Sequence, residues 1–212
     1  MTAPGDRHSL VERLEAFESE LVHGLGQRLR LARFLARFPA RLVWAAFVFI
    51  SGFITIALLA AVAMVSQTPF VFPSLGPTAF VFFFTPSTPA ASPRNALCGH
   101  AIGILCGYGA LCIVGLENTP SAMLEGVNAA RMFAAALSLA ATGAAMILLD
   151  VGHAPAGATT LIVSLGIVKD PAHLLVIEVA VAVMTLQAIV INRLAGIDYP
   201  LWRRHPKLKA DS

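Results

Sequence analysis

Residues 42–65 read LVWAAFVFISGFITIALLAAVAMV, an apolar run of 24 residues without a formal charge. A helix needs about 20 such residues to cross the hydrocarbon core of a bilayer. The run is therefore long enough to form a transmembrane helix. It decides the fold class, because an uninterrupted apolar segment of this length is typical of a membrane span rather than of a soluble core.

The composition of the whole chain extends this prediction beyond one helix. Hydrophobic residues make up 57% of the 212 residues and charged residues 13%, whereas soluble domains average about 45–50% and about 25%. The net charge is only +3, and the apolar middle has basic flanks, as in polytopic membrane proteins. This pattern excludes a soluble globule, a disordered tail and a nucleic-acid-binding module. The formal charges between residues 42 and 168 are Arg94, Glu117, Glu125, Arg131 and Asp150.

The first 41 residues are polar and precede every long apolar run. A secretory signal would have its apolar stretch nearer the start, so we expect an uncleaved N-terminus. Apolar residues recur at three- and four-residue steps from Leu10 to Leu25, the period of an amphipathic helix, and arginines follow from Arg28 to Arg41. We predict a cytoplasmic helix that lies on anionic headgroups, with a partner-binding or oligomerisation helix as the alternative.

Two stretches rich in proline and glycine interrupt the apolar chain. The first contains Pro69, Pro73, Gly76 and Pro77, and it leaves a short apolar helix at 76–85. The second reads DVGHAPAG at 150–157 and precedes another short helix, which we expect to run to Val168. Full-length spans are predicted at 42–65, 95–116, 129–149 and 171–194.

The order of these segments repeats along the chain. A shift of 81 residues aligns GPTAFV at 76–81 with GATTLI at 157–162. The same shift aligns the two predicted spans of the first half with segments that overlap the two predicted spans of the second half. We predict an all-α membrane protein, a helical bundle of two three-element repeats, each with a short broken or re-entrant helix. Paired interrupted segments of this kind indicate a transporter's binding site. The predicted domains are an N-terminal segment 1–41, a transmembrane domain 42–196 and a basic tail 197–212.

Basic residues flank the transmembrane domain at both ends of the chain. The positive-inside rule therefore assigns both termini to the cytoplasm, and we expect the membrane to be a bacterial inner membrane. Two termini on the same side require an even number of crossings. If the short helices cross together with their extended ends, the chain has six spans and the repeats are inverted. If they re-enter, it has four spans and parallel repeats. The acidic loop at 117–125 favours six, since it then lies outside.

The starts of the two short helices are the candidate binding site. A helix N-terminus presents free N–H groups and the positive end of the helix dipole, and both favour an anion. Each start carries a glycine, which permits close backbone approach, and hydroxyls that can donate to a guest. The alternative is that these residues only cap the helices and mark turns. The candidate residues are Ser74, Gly76, Thr78, Gly157, Thr159 and Thr160.

Two histidines complete the candidate site. His100 lies one turn inside the third segment, and His153 lies in the second break. Ionisable residues within a membrane are costly and usually face the bundle interior or a water path. A neutral imidazole can donate to an anion and an imidazolium can carry a proton, whereas the alternative is a histidine bonded to a carbonyl. Asp150 either orients His153 or ends a helix, and no further ligand cluster indicates zinc.

Small residues at four-residue spacing indicate where helices pack closely in lipid. We interpret them as packing faces rather than as pore lining, and they make a homo-oligomer plausible. The two faces are Gly99, Gly103 and Gly107 in the third segment and Ala134, Ser138 and Thr142 in the fourth.

The motifs at the two breaks resemble those of the HPP family of integral membrane proteins, named for a His-Pro-Pro motif. The matching stretches are HAPAGATT at 153–160, PSLGPTA at 73–79, and SPRN at 92–95 followed by Gly99 and His100. The resemblance covers residues 38–196, and Ala154 departs from it where the family has its first proline. The family is usually described with four spanning helices, and its plastid and cyanobacterial members are associated with nitrite transport. The resemblance therefore implies transport of nitrite or a similar small anion.

We predict a transporter or channel for a small inorganic anion, with nitrite as one candidate, bound at the starts of the two short helices. The expected partners are the anion, the lipid bilayer and further copies of the chain, without a cofactor, metal or nucleic acid. The alternative is a non-transporting scaffold or sensor that acts through the N-terminal helix. Phosphate-loop, zinc-helix and nucleophile-elbow motifs are missing from the sequence, so an enzyme built on His153 and Asp150 is the least favoured hypothesis.

Overall fold

The computed structural model describes residues 30–203, and every regular element in this range is helical. The all-α fold class is therefore confirmed for these residues. The amphipathic helix predicted from Leu10 to Leu25 and the tail residues 204–212 lie outside the described range. A 3-10 turn occupies Pro89–Ala91. The α-helices are α1 Leu31–Leu35, α2 Ala40–Ser66, α3 Leu75–Phe84, α4 Pro93–Ile113, α5 Ala122–Glu125, α6 Ala129–Leu148, α7 Ala156–Ser164 and α8 Pro171–Leu194.

Four helices are long and apolar enough to cross a membrane. They are α2, α4, α6 and α8, with 27, 21, 20 and 24 residues. Their bounds agree closely with the four predicted spans, because an apolar run of this length has few other stable states. The protein is therefore an integral membrane protein.

Helices α3 and α7 are too short to span a bilayer alone. They have 10 and 9 residues, which at about 1.5 Å per residue cover roughly half of a hydrocarbon core of about 30 Å. The prediction that the second short helix runs to Val168 is wrong. Gly166 adopts a left-handed φ of 70°, and the Ile167 N–H donates to the Ile162 carbonyl oxygen. These two features end α7 in a Schellman motif.

Polar N-cap residues start three of the long helices. Ser92, Asn128 and Asp170 each accept a hydrogen bond from a first-turn N–H of the helix that follows. Caps of this kind satisfy backbone donors that have no partner within the helix. Pro93 and Pro171 are the first residues of α4 and α8. Proline is tolerated there because a first-turn N–H has no partner within the helix.

One end of the bundle, which we call the terminal end, holds both ends of the described chain. There the Leu31 N–H donates to the Ala195 carbonyl oxygen at 3.0 Å. At the start of α4, the Arg94 N–H donates to the Trp202 carbonyl oxygen at 3.0 Å. The Arg94 guanidinium donates to the Asp150 carbonyl oxygen at 2.6 Å. The starts of α2 and α4 and the ends of α6 and α8 therefore lie at the terminal end.

The other end of the bundle, the opposite end, holds the last turn of α7. The Leu165 carbonyl oxygen accepts from the Ala122 N–H at 2.9 Å and from the Arg131 guanidinium at 3.1 Å. Lys169, just before α8, donates to the Thr119 carbonyl oxygen at 2.5 Å. The start of α6, the end of α7 and the start of α8 therefore lie at the opposite end.

These contacts trace six passages of the described chain through the bundle. The four long helices make four of them. The segment 67–92, which contains α3, starts at the opposite end, where Phe72 lines a cavity with Gly166 and Lys169, and it ends at the terminal end, where the Ala91 carbonyl accepts from Tyr199. The segment 149–165, which contains α7, runs the other way. In each of these two passages a non-helical stretch precedes the short helix, and the first residues of both helices, Leu75 and Ala156, are fully buried.

The apolar core connects α3 to α8. Phe82 of α3 and Ile177 and Met184 of α8 are fully buried. By contrast, Phe49 and Phe53 of α2 are 73% and 66% exposed, as expected for side chains that face lipid. The core therefore anchors α3, whose first turn carries part of the candidate site.

Candidate functional site

Four polar side chains meet in the interior of the bundle. Thr78, His100, His153 and Thr159 are each at most 1% exposed. The Thr78 hydroxyl oxygen lies 2.9 Å from Nε2 of His100 and 3.3 Å from Nε2 of His153. Nδ1 of His100 lies 2.8 Å from the Thr159 hydroxyl oxygen. We call these four residues the His–Thr cluster.

His100 connects the first turns of the two short helices. Thr78 is the fourth residue of α3 and Thr159 is the fourth residue of α7, and each contacts a different nitrogen of the same imidazole. The N-terminal end of a helix carries partial positive charge. The cluster therefore lies beside two positive helix ends, the two starts singled out from the sequence.

A backbone carbonyl determines which nitrogen of His153 carries the proton. Nδ1 lies 2.8 Å from the Ala90 carbonyl oxygen. Because a carbonyl can only accept, Nδ1 must donate, and in the neutral ring Nε2 is then an acceptor. The ring of Phe82 packs 6.2 Å from that of His153, measured between centroids. His153 is thus held in one orientation beside an apolar wall.

Ser74 adds a hydroxyl that has no partner. It is the N-cap residue of α3, it is fully buried, and its Oγ has no hydrogen-bond partner in the described part of the chain. Its carbonyl oxygen lies 3.3 Å from Oγ1 of Thr78, which places the residue beside the His–Thr cluster. A buried hydroxyl without a partner costs about 1–3 kcal/mol. The Ser74 hydroxyl therefore has a hydrogen-bonding capacity that no described residue uses.

Glycines of α4 let α7 approach closely enough to complete the cluster. A Cβ atom on Gly99 would lie 2.8 Å from Cβ of His153, and one on Gly103 would lie 2.8 Å from the Ala156 carbonyl oxygen. Gly107 is equally tight against α7. Neither distance leaves room for a side chain, so the predicted packing role of the three glycines is confirmed. Their partner is α7 and the segment before it, in the same chain.

The remaining predicted site residues lie outside the cluster. The Thr160 hydroxyl oxygen is 3.0 Å from that of Thr142, so it joins α7 to α6. Gly76 lines an apolar groove of about 910 Å³ between α2 and α3. Gly157 faces a leucine side chain of α6. At neither glycine does a backbone or a polar group approach as closely as at Gly103.

Asp150 does not orient His153. Its carboxylate lies 2.7 Å from the Arg203 guanidinium at the terminal end of the bundle. The orienting group is the carbonyl of Ala90, in the 3-10 turn before α4. Sequence reasoning missed this contact because a backbone carbonyl has no side-chain signature, and the proline-rich run at 86–93 is the only local signal of a turn there.

The His–Thr cluster is held together by hydrogen bonds between its own side chains. Across residues 30–203, His, Cys, Asp and Glu side chains form no group of three or more that could hold a metal ion. The two histidines instead share one hydroxyl oxygen, and each has its second nitrogen bound to a fixed oxygen. Two rings held in this way can present N–H groups to a common point.

Comparison with known proteins identifies a family. No curated protein and no solved structure matches the chain. The family model described as "HPP, transmembrane region" matches residues 38–200. The matched range contains all four long helices, both short helices and the whole His–Thr cluster. The chain therefore belongs to the HPP transmembrane family.

Proposed function

We propose that this protein moves a small inorganic anion across the membrane, as a transporter or channel, and that the anion binds at the His–Thr cluster. The proposal is carried by the convergence of two Nε2 atoms on one buried oxygen, that of Thr78. An anion beside that oxygen would meet both rings, the Thr78 hydroxyl and the positive end of α3. Nitrite is the first candidate, since plastid and cyanobacterial members of the family are associated with its transport.

The arrangement of the helices supports a transporter built from two inverted repeats. Helix α3 begins at Leu75 and α7 at Ala156, 81 residues later, which is the shift that aligns the two halves of the sequence. The series α2–α3–α4 begins at the terminal end, and the series α6–α7–α8 begins at the opposite end. Transporters of this type bind substrate where broken helices meet between the repeats and expose it to each side in turn.

The charge distribution supports an orientation with the terminal end in the cytoplasm of a bacterial cell. The positive-inside rule places the basic end of a membrane protein there. Glu117 and Glu125 belong to the loop at the opposite end, which would then lie outside the inner membrane. The arginines at the terminal end include Arg30, Arg33, Arg37, Arg41 and Arg203.

Uptake into liposomes that contain the purified protein tests the proposal, with nitrite, nitrate, formate and chloride supplied one at a time. Thr78→Val keeps the shape of the side chain and removes the shared oxygen. Because hydrogen bonds to charged groups contribute about 1.5–3 kcal/mol, we expect uptake to fall by about tenfold or more. Thr85→Val is the matched control, since its hydroxyl bonds to the Val81 carbonyl at the exposed end of α3. Failure of the wild-type protein to take up any of the four anions would overturn the proposal.

A further inference from the structure

One arrangement of protons satisfies the whole His–Thr cluster when both histidines are neutral. Nδ1 of His153 donates to Ala90, so its Nε2 accepts from the Thr78 hydroxyl at 3.3 Å. The Thr78 oxygen then accepts from Nε2–H of His100 at 2.9 Å. Nδ1 of His100 in turn accepts from the Thr159 hydroxyl at 2.8 Å. The hydrogen bonds form a directed chain from α7 to the 3-10 turn.

With both histidines neutral, these hydrogen bonds direct only one imidazole N–H group, that of His100, toward the Thr78 oxygen that both rings contact. Nε2 of His153 faces it with a lone pair, which repels an anion. If a proton adds to that Nε2, both histidines direct N–H groups at the same point. The Thr78 hydroxyl loses His153 as its acceptor and can then donate to the anion as well. The added proton therefore supplies the second donor and the positive charge that an anion requires.

We propose that Nε2 of His153 takes up one proton for each monovalent anion that the site binds, so that the two ions cross the membrane together. This inference rests on the proposed anion transport and names its coupling ion. The proton adds to the Nε2 lone pair from water on one side, and it leaves to water on the other side when the anion leaves. The rings of His100 and His153 are 5.2 Å apart between centroids, so a second proton would place two like charges in contact. The stoichiometry is therefore one to one.

Few other charges face the two histidines. Helices α3 and α7 and the 3-10 turn carry no titratable side chain. Asp150 is paired with Arg203, and Arg94 is bound to two backbone carbonyls, all at the terminal end. Among the described residues no acidic side chain is hydrogen-bonded to the cluster, so the anion would be the counterion of the added proton. The other titratable and charged groups on the elements around the two histidines are Arg94, Cys98, Cys106, Tyr108 and Cys112 on α4, Arg131 on α6, Asp150 before α7, and His173, Glu178 and Arg193 on α8.

Anion-driven proton movement into liposomes tests the coupling. The liposomes contain the protein and a pH-sensitive dye, an inward gradient of nitrite or nitrate is imposed at equal pH, and potassium with valinomycin holds the membrane potential at zero. Protein-free liposomes correct for passive entry of the neutral acid. We expect the interior to acidify by one proton per anion taken up. Because the pair carries no net charge, an imposed potential of either sign should leave the initial uptake rate unchanged.

Two variants distinguish the loss of the proton-binding site from a general loss of structure. His153→Gln retains a hydrogen-bonding side chain that cannot carry a proton, so we expect anion-driven acidification to disappear and anion uptake to fall by about tenfold or more. His173→Gln is the matched control, because this half-exposed side chain lies 3.9 Å from Asp170 at the start of α8. Thermal unfolding of both purified variants verifies that they are folded.

The outcomes distinguish the coupling from anion transport itself. Anion uptake by the wild-type protein that follows the membrane potential and occurs without acidification would overturn the coupling and leave the proposed function standing. A complete lack of uptake for nitrite, nitrate, formate and chloride would overturn the proposed function and the coupling with it.

Discussion

The buried guanidinium of Arg131 donates to the carbonyl oxygen of Leu165 at 3.1 Å. Arg131 lies in the first turn of α6 and Leu165 follows the last turn of α7, so this bond joins the start of one passage to the end of the next. The guanidinium also donates to the Thr119 hydroxyl at 3.0 Å and to the Pro120 carbonyl. A cation is favoured at the C-terminal end of a helix. Arg131 thus fixes the far end of the helix whose start completes the His–Thr cluster.

Replacement of Arg131 by methionine should destabilise the protein strongly. The substitution leaves buried acceptors without a donor, and each such group costs about 1–3 kcal/mol. We expect the free energy of unfolding in detergent to fall by about 2 kcal/mol or more. Arg37→Met, at an exposed arginine between α1 and α2, is the control and should change it little. Equal stability of the two variants would show that the Arg131 contacts do not hold the opposite end together.

Gly103→Ala should also destabilise the protein, because its Cβ would lie 2.8 Å from the Ala156 carbonyl oxygen and 2.8 Å from the Thr160 hydroxyl oxygen. Overpacking of this kind costs about 1–3 kcal/mol. Gly109→Ala, on the same helix, is the control, since no atom lies within 4 Å of its Cβ position. There alanine should be neutral or stabilise the helix by about 0.5–1 kcal/mol. Thermal unfolding compares the melting temperatures of the two variants. Equal melting temperatures would contradict the tight contact between α4 and α7.

The two histidines should be neutral and of opposite tautomers in the absence of substrate. His153 donates from Nδ1 to the Ala90 carbonyl, and His100 donates from Nε2 to the Thr78 oxygen. Nitrogen NMR of the protein labelled with ¹⁵N-histidine distinguishes the two forms, and single His→Gln variants assign the signals. The same tautomer at both positions would contradict the directed hydrogen-bond chain.

Deletion of residues 1–29 should leave anion uptake at the wild-type level. The shortened chain keeps Leu31, whose N–H donates to the Ala195 carbonyl, and it keeps all of α1. A deletion of 1–38 removes this contact and should lower thermal stability, so it is the less suitable truncation. Uptake into liposomes is the measurement. A folded 1–29 deletion without uptake would favour the alternative in which the N-terminal segment carries the function.

Hydropathy and helix breakers predict most of this architecture from the sequence. The long helices follow from apolar runs that have no other stable state in a bilayer. The short helices begin within one or two residues of where glycine and proline place them, at Leu75 and Ala156. Hydropathy places the end of α7 too late, because Ile167 and Val168 are as apolar as the helix itself. The left-handed turn at Gly166, which ends the helix, is a backbone feature that hydropathy does not register.

The contacts that build the candidate site are less visible in the sequence. Thr78 and His153 are 75 positions apart, and His153 and its partner Ala90 are 63 apart. No local pattern encodes such a distance, so the sequence assigns both histidines to one site but does not predict which atoms they contact. The partner of Arg131 is equally hidden, because the sequence shows only that Arg131 is one of a few charges in an apolar region. Its role depends on the carbonyl of Leu165, which any residue at that position would supply.

An anion between the two histidines is tested most directly by an experimental density map of the protein with nitrite bound. We predict density for the anion within hydrogen-bonding distance, about 2.7–3.2 Å, of Nε2 of both His100 and His153, with the Thr78 hydroxyl as a further donor. A map in which both Nε2 atoms still contact the Thr78 oxygen, while nitrite occupies another position, would contradict this site.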